Sequence, residues 1–345
     1  MCVLGSAGTG RMGEEGLPSR SSTPDAEPPR KRRGRTVVLR TLGVIGLLLV
    51  VALEILYAFF RRDLAQAKNR LASISTDIYA SRYGDIQYRV VGDGPAVLIS
   101  HGITGGVDAG EYLVTRWRNL EEDYRFIFAS RFGYLGSSMP EDPTPQLQAA
   151  GYADLLDHLG VERAFIVANS AGGAAGMWFA IDYPERTSGL ILLSSAVPGP
   201  LVDPIPRFVA ENDFVYWAAI KLAPDALIGM LLPQSIRERL TEDEREFIIE
   251  NAYMASLPIS ERTHGIVFDN KVSNPAINDV SFERIETSTL IFQSVDDPRE
   301  LEGGREMARR IPDNEYIGLT GGHFLLRHQS EIRSAIAEFI AEHAA

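Results

Sequence analysis

Cysteine is almost missing from this chain: Cys2 is the single one among 345 residues. An intrachain disulfide and a cysteine-built metal cluster are therefore excluded, and either redox compartment suits the protein. The six histidines do not fall at metal-ligand spacing, so no metal is expected. No cofactor is expected either. The one phosphate-loop lookalike, Gly5-Ser-Ala-Gly-Thr-Gly10, lacks a preceding strand and the Gly-Lys-Ser/Thr ending. Positive charge is scarce in the body of the chain. Residues 71–345 carry 22 Lys and Arg against 40 Asp and Glu, whereas residues 1–70 carry 12 against 6. So acidic a body lacks the basic footprint that a nucleic-acid partner requires. No internal repeat is visible.

What is present first is a tail and an apolar run. Residues 1–36 are rich in Gly, Ser, Pro and charge, with too little apolar surface to offset ordering entropy, and read as a disordered basic tail. Residues 37–60 follow the cationic block Arg30-Lys31-Arg32-Arg33-Gly34-Arg35 and span 24 residues with only Arg40 and Glu54 charged. As a helix this run is about 36 Å long, enough to cross a hydrocarbon core of roughly 30 Å. A single-pass membrane anchor is expected. A cleaved signal peptide is the competing reading, with Ala65-Gln66-Ala67 as its peptidase site, although Arg61 and Arg62 separate that triplet from the run. Cations upstream of the run outnumber those downstream, which places the tail in the cytoplasm and the large domain outside it. Residues 61–78 read as a short polar helix linking anchor to body.

From residue 79 to 345 short apolar runs alternate with amphipathic stretches. Strands are expected over 86–91, 96–100, 126–129, 164–169, 189–195, 288–295 and 315–319. Helices are expected over 110–120, 146–159, 304–311 and 329–341. This alternation predicts an α/β fold with a mostly parallel sheet flanked by helices. Residues 197–285 interrupt it with four prolines and then helical stretches. They are too long for a connecting loop and read as an inserted helical cap before the next-to-last strand.

The chemistry-bearing residues lie at strand ends. Ser170 follows the run Ala164–Asn169 and is flanked by small residues, Ala168 two before it and Gly172 two after it. A tight strand–serine–helix turn needs that pattern, because a larger side chain at either flank would meet neighbouring backbone. Asp296 and Asp297 end the next strand but one of the parallel set, and His323 follows the last. In a parallel sheet all three positions open onto one crevice.

Four segments resemble the α/β-hydrolase superfamily: His101-Gly102 after a strand, the turn Asn169-Ser170-Ala171-Gly172-Gly173, Asp297-Pro298 after a strand, and Gly322-His323 before the last helix. Arg131–Ser137 also resembles the family's glycine-containing loop. Ala168 departs from the family's usual glycine, and Ser294 stands where a glycine usually precedes the acid. The resemblance implies Ser170 as nucleophile, His323 as general base and Asp297 as the acid, with Asp296 close behind and Asp203 a distant third. It also implies an oxyanion hole from the backbone N–H groups of Ala171 and of Ile103, the residue after His101-Gly102. His101 is expected to brace that loop.

The activity so implied is hydrolysis of a carboxylic ester through an acyl-enzyme. The substrate would be a small apolar or lipid-like ester, with aromatic and leucine residues of the cap lining its pocket. The same residues would serve a carbon–carbon bond hydrolase, which the Asn-Ser-X-Gly-Gly turn also resembles, or a haloperoxidase-like activity. A non-enzymatic binding module on the same fold is the remaining alternative.

Overall fold

In the computed structural model, residues 31–109, 123–200 and 205–344 are described. The expected helix over 110–120, the candidate Asp203 and most of the basic tail lie outside them. The chain divides into two compact units at Leu56/Tyr57.

The first unit contains the start of a long helix, α1 (Lys31–Ser73). Every residue from Val37 to Ile55 is exposed. By length and composition this helix can cross a membrane.

The second unit is built on an eight-stranded sheet in the order β1-β2-β4-β3-β5-β6-β7-β8. Its strands are β1 (Asp77–Ser81), β2 (Gly84–Val91), β3 (Ala96–Ser100), β4 (Arg125–Ala129), β5 (Ala164–Asn169), β6 (Thr187–Leu193), β7 (Thr289–Ser294) and β8 (Asn314–Leu319). From β4 onward in that order all pairings are parallel, while β1–β2 and β2–β4 are antiparallel. The reason is legible in burial. Strands β3 and β7 are buried at every residue, as a sheet covered on both faces demands, whereas β2, next to the edge strand β1, is buried only at Ile86 and Tyr88.

One face is covered by α2 (Pro145–His158), α3 (Gly173–Asp182) and a helix after β7 (Pro298–Arg310). The other carries the final helix (Gln329–His343), through Ile332, Ile336, Phe339 and Ile340. Between β6 and β7 the chain leaves the sheet and forms the expected helical insertion. Its α-helices are α4 (Arg207–Ala210), α5 (Asp213–Leu222), α6 (Pro224–Leu231), α7 (Gln234–Arg237), α8 (Glu242–Ile248) and α9 (Thr263–Phe268). The helix after β7 is then α10 and the final one α11.

The segment expected to be a linker is different. Helix α1 runs unbroken to Ser73, and its last part, from Tyr57, belongs to the second unit. Phe60, Asp63 and Ala67 recur at helical spacing and are buried, the first two against the cap. Phe60 meets Phe214 edge-on at 5.2 Å, and the Trp217 indole donates to Asp63 at 2.9 Å. After α1 the chain enters β1 directly, so the sheet begins at residue 77, two residues before the boundary read from sequence.

Candidate active site

The turn from β5 into α3 holds Ser170 in a left-handed conformation, φ +49°. A non-glycine residue is held there only when its surroundings over-determine it. They do so here through close backbone packing. A Cβ on Gly172 would stand 2.1 Å from the Ser100 carbonyl oxygen, so only glycine fits. The Ser100 hydroxyl ties the same turn to β3 by donating to the Gly172 carbonyl at 2.9 Å. The result is a half-buried serine hydroxyl projecting at the strand's carboxyl end.

The structure brings Ser170 and His323 together. Their Oγ and Nε2 atoms are 2.9 Å apart. The other ring nitrogen, Nδ1, lies 2.7 Å from Glu300 Oε1. Glu300 is 2% exposed and accepts a second hydrogen bond from Gln293 Nε2. With a carboxylate on Nδ1, that nitrogen carries the proton and Nε2 is left to accept from the serine hydroxyl.

Asp297, the acid expected from the sequence, is elsewhere. Its carboxylate caps the start of α10, accepting from the backbone N–H of Arg299 at 3.0 Å and of Glu300 at 3.4 Å. Glu300 sits one turn later with one more methylene, and it reaches the imidazole. Asp296 is also occupied: it accepts from the backbone N–H of Gly321 and Gly322 at 3.1 and 3.0 Å, and so holds the loop that carries His323. Burial works against the Asp296 charge, but these donors outweigh it and hold its carboxyl below the usual range. The sequence did contain a signal for this exchange. Asp297-Pro298-Arg299-Glu300 is a helix-start pattern, with Asp at the cap, Pro at the first turn and Glu at its third position.

Ile103 and Ala171, expected as oxyanion donors, both line a small cavity of about 100 Å³ with Ser170, Glu300 and His323. His101 is 1% exposed; its Nδ1 bonds the Gly102 carbonyl at 2.8 Å, and its Nε2 accepts from the Arg131 backbone at 2.9 Å. Burial, and then the Arg131 charge, hold the ring well below its ordinary pKa, so it is neutral and braces the loop. Among the other histidines, His158 is exposed and stacks on Tyr79, His264 is exposed, and His328 stands just before α11 with Nδ1 2.9 Å from Glu331. Among the described residues no group of His, Cys, Asp or Glu is placed to hold a metal ion.

Two buried ionic clusters clamp the insertion over the sheet. Arg131 meets Asp269 bidentately at 2.6 and 2.5 Å, and the Tyr134 hydroxyl donates to the same carboxylate. Arg262 meets Asp108 bidentately at 3.1 and 2.8 Å. Between cap and sheet lies a cavity of about 700 Å³, lined by Ser170, His323, cap residues and the end of α1. Its size suits a small organic substrate.

The fold has counterparts among known proteins. The model of the alpha/beta hydrolase fold family matches residues 95–220. The chain has the α/β-hydrolase fold. A 2-hydroxy-6-oxo-6-phenylhexa-2,4-dienoate hydrolase of Comamonas testosteroni is 37% identical over 122 residues, 34% of this chain and 41% of that protein. Among solved structures, an α/β-hydrolase fold protein from Nakamurella multipartita superposes with a TM-score of 0.60 at 23% identity, over 77% of this chain and 98% of its own. A thermophilic esterase from Thermogutta terrifontis does so with a TM-score of 0.60 at 20% identity, over 78% and 99%. Against the first curated relatives, then, the chain's match spans about two fifths of their length. The carboxylate that meets His323 is Glu300, where the sequence led to Asp297.

Proposed function

We propose that this protein is a serine hydrolase that cleaves a carboxylic ester through an acyl-enzyme. The contact that carries this reading is Ser170 Oγ at 2.9 Å from His323 Nε2, with Glu300 at 2.7 Å behind it. His323 takes the Ser170 proton as Oγ attacks the ester carbonyl. The tetrahedral oxyanion is met by the backbone N–H groups of Ile103 and Ala171, donors worth about 3–4 kcal/mol each in a dry site. The alcohol leaves with the proton from His323. Water, deprotonated by the same imidazole, then releases the acid and restores the serine. Glu300 fixes the tautomer and stabilises the imidazolium. The exposed apolar helix over residues 37–55 supports a single membrane anchor, and the upstream cations support an extracytoplasmic catalytic domain.

The test is labelling by an active-site fluorophosphonate, followed by turnover of 4-nitrophenyl esters of graded chain length. Ser170→Ala must lose both; an unlabelled Ser170 with no turnover would overturn the reading. Cleavage of a carbon–carbon bond is the second reading, favoured by the likeness to the Comamonas hydrolase. A vinylogous 1,5-diketone offered beside the esters separates the two. Protease protection of a C-terminal tag in intact cells tests the orientation.

A further inference from the structure

The catalytic cavity has an unequal charge lining. Among its described lining residues, Asp108 is the one acid, against Arg70 and Arg89. Arg89 has its own partner. Asp108 is shared by two guanidinium groups. Arg262, fully buried, holds both its oxygens, and Arg70 Nη1 meets Oδ2 at 2.9 Å. Burial works against the Asp108 charge, but Arg262 and then Arg70 hold its carboxyl at about 2, so it is ionised at any working pH. Two cations on one anion leave one positive charge over. Because Arg262 is sealed off, that charge is presented by Arg70, whose side chain remains 38% exposed.

Arg70 comes from the last turn of α1, not from the hydrolase sheet or its cap. Its position is over-determined. Nη2 donates to the Ala255 carbonyl at 2.5 Å and to the Leu257 carbonyl at 3.4 Å, and Phe60 and Asp63 seat the same helix on the cap. A guanidinium held in this way loses little freedom when it binds, and with Nη1 on Asp108 and Nη2 on two carbonyls it keeps Nε–H and the second Nη1 hydrogen to offer an oxyanion.

We infer that Arg70 is a substrate-binding residue, and that the preferred ester carries a carboxylate at the end remote from the scissile bond. This deepens the serine-hydrolase reading and rests on it. The end of α1 then has a role in selectivity as well as in attachment.

The experiment uses the full chain in detergent. Each 4-nitrophenyl half-ester of succinate, adipate and suberate is paired with a neutral 4-nitrophenyl ester of matched length. At least one half-ester is expected to exceed its neutral partner in kcat/KM by about tenfold, expressed in KM. Arg70→Met should erase that ratio, and Arg70→Lys should keep part of it. No preference for any half-ester in the unmodified chain would overturn the inference. So would an Arg70→Met variant that loses activity on both members of a pair in equal proportion, since that marks a purely structural clip.

Thermal shift by the free dicarboxylates in Ser170→Ala, with and without Arg70→Met, reads the same site without turnover. A shift that disappears with Arg70, in a protein that hydrolyses no ester, would sustain the anion site while the hydrolase reading fell. No shift with any of the three acids would count against the anion site.

Discussion

Glu300 and Asp297 are three residues apart and do opposite work. Asp297 spends its carboxylate on two backbone donors at the start of α10, so its removal is a helix-cap loss. Glu300 is the group behind the imidazole. Glu300→Gln is therefore expected to lower kcat by about a thousandfold or more, with KM little changed. Asp297→Ala should cost about 1 kcal/mol of stability and leave kcat near its original value. Steady-state kinetics and thermal unfolding of the two variants check this, and a reversed pattern would restore Asp297 as the acid. His101 supports a prediction about pH. Its buried ring has a depressed pKa when folded and the ordinary 6.5 when unfolded. The unfolded chain then binds the extra proton. The stability from a neutral His101 is complete above 6.5 and is lost as pH falls below it, with a slope of up to about 1.4 kcal/mol per pH unit. Denaturant unfolding across that range should show this slope in the unmodified protein and a shallower one in His101→Asn.

At the scale of elements, the insertion is held by charge as well as by apolar packing. Asp269 on the cap is fully buried and neutralises an equally buried Arg131 from the loop after β4. Burial opposes the Arg131 charge, and Asp269 more than restores it. Asp269→Ala would leave a guanidinium in the interior without its anion, and should cost about 3–5 kcal/mol. Denaturant titration measures the loss. Because this pair seats the cap over the cavity, KM should rise with it, whereas a surface pair such as Arg207–Glu211 should be removable with little effect on either.

For the whole molecule, the division at Leu56/Tyr57 makes a prediction about truncation. A chain starting at Tyr57 keeps Phe60, Asp63, Ala67 and Arg70 in place. Its melting temperature and ester turnover should stay close to those of the full chain, without need of detergent. A chain starting at Asp77 uncovers Trp217 and Phe214 and frees Asp108 from one of its cations. It should lose about 2–4 kcal/mol, with KM for half-esters raised. Melting curves of the two truncated proteins decide it; equal stability would mean the docked end of α1 contributes nothing.

The sequence alone determined the alternation of strands and helices, the insertion before β7, the apolar run and the serine turn. These are local patterns: an apolar strand such as Ala164–Asn169 and a serine between Ala168 and Gly172 have few other ways to fold. Tertiary structure decided which carboxylate meets His323, because Asp296, Asp297 and Glu300 all follow one strand and differ only in where their side chains end. It also decided that α1 runs on past the apolar run and places Arg70 beside Asp108, 38 residues away along the chain. A contact between distant segments depends on how helix, cap and sheet pack together, and that packing has no short-range signature.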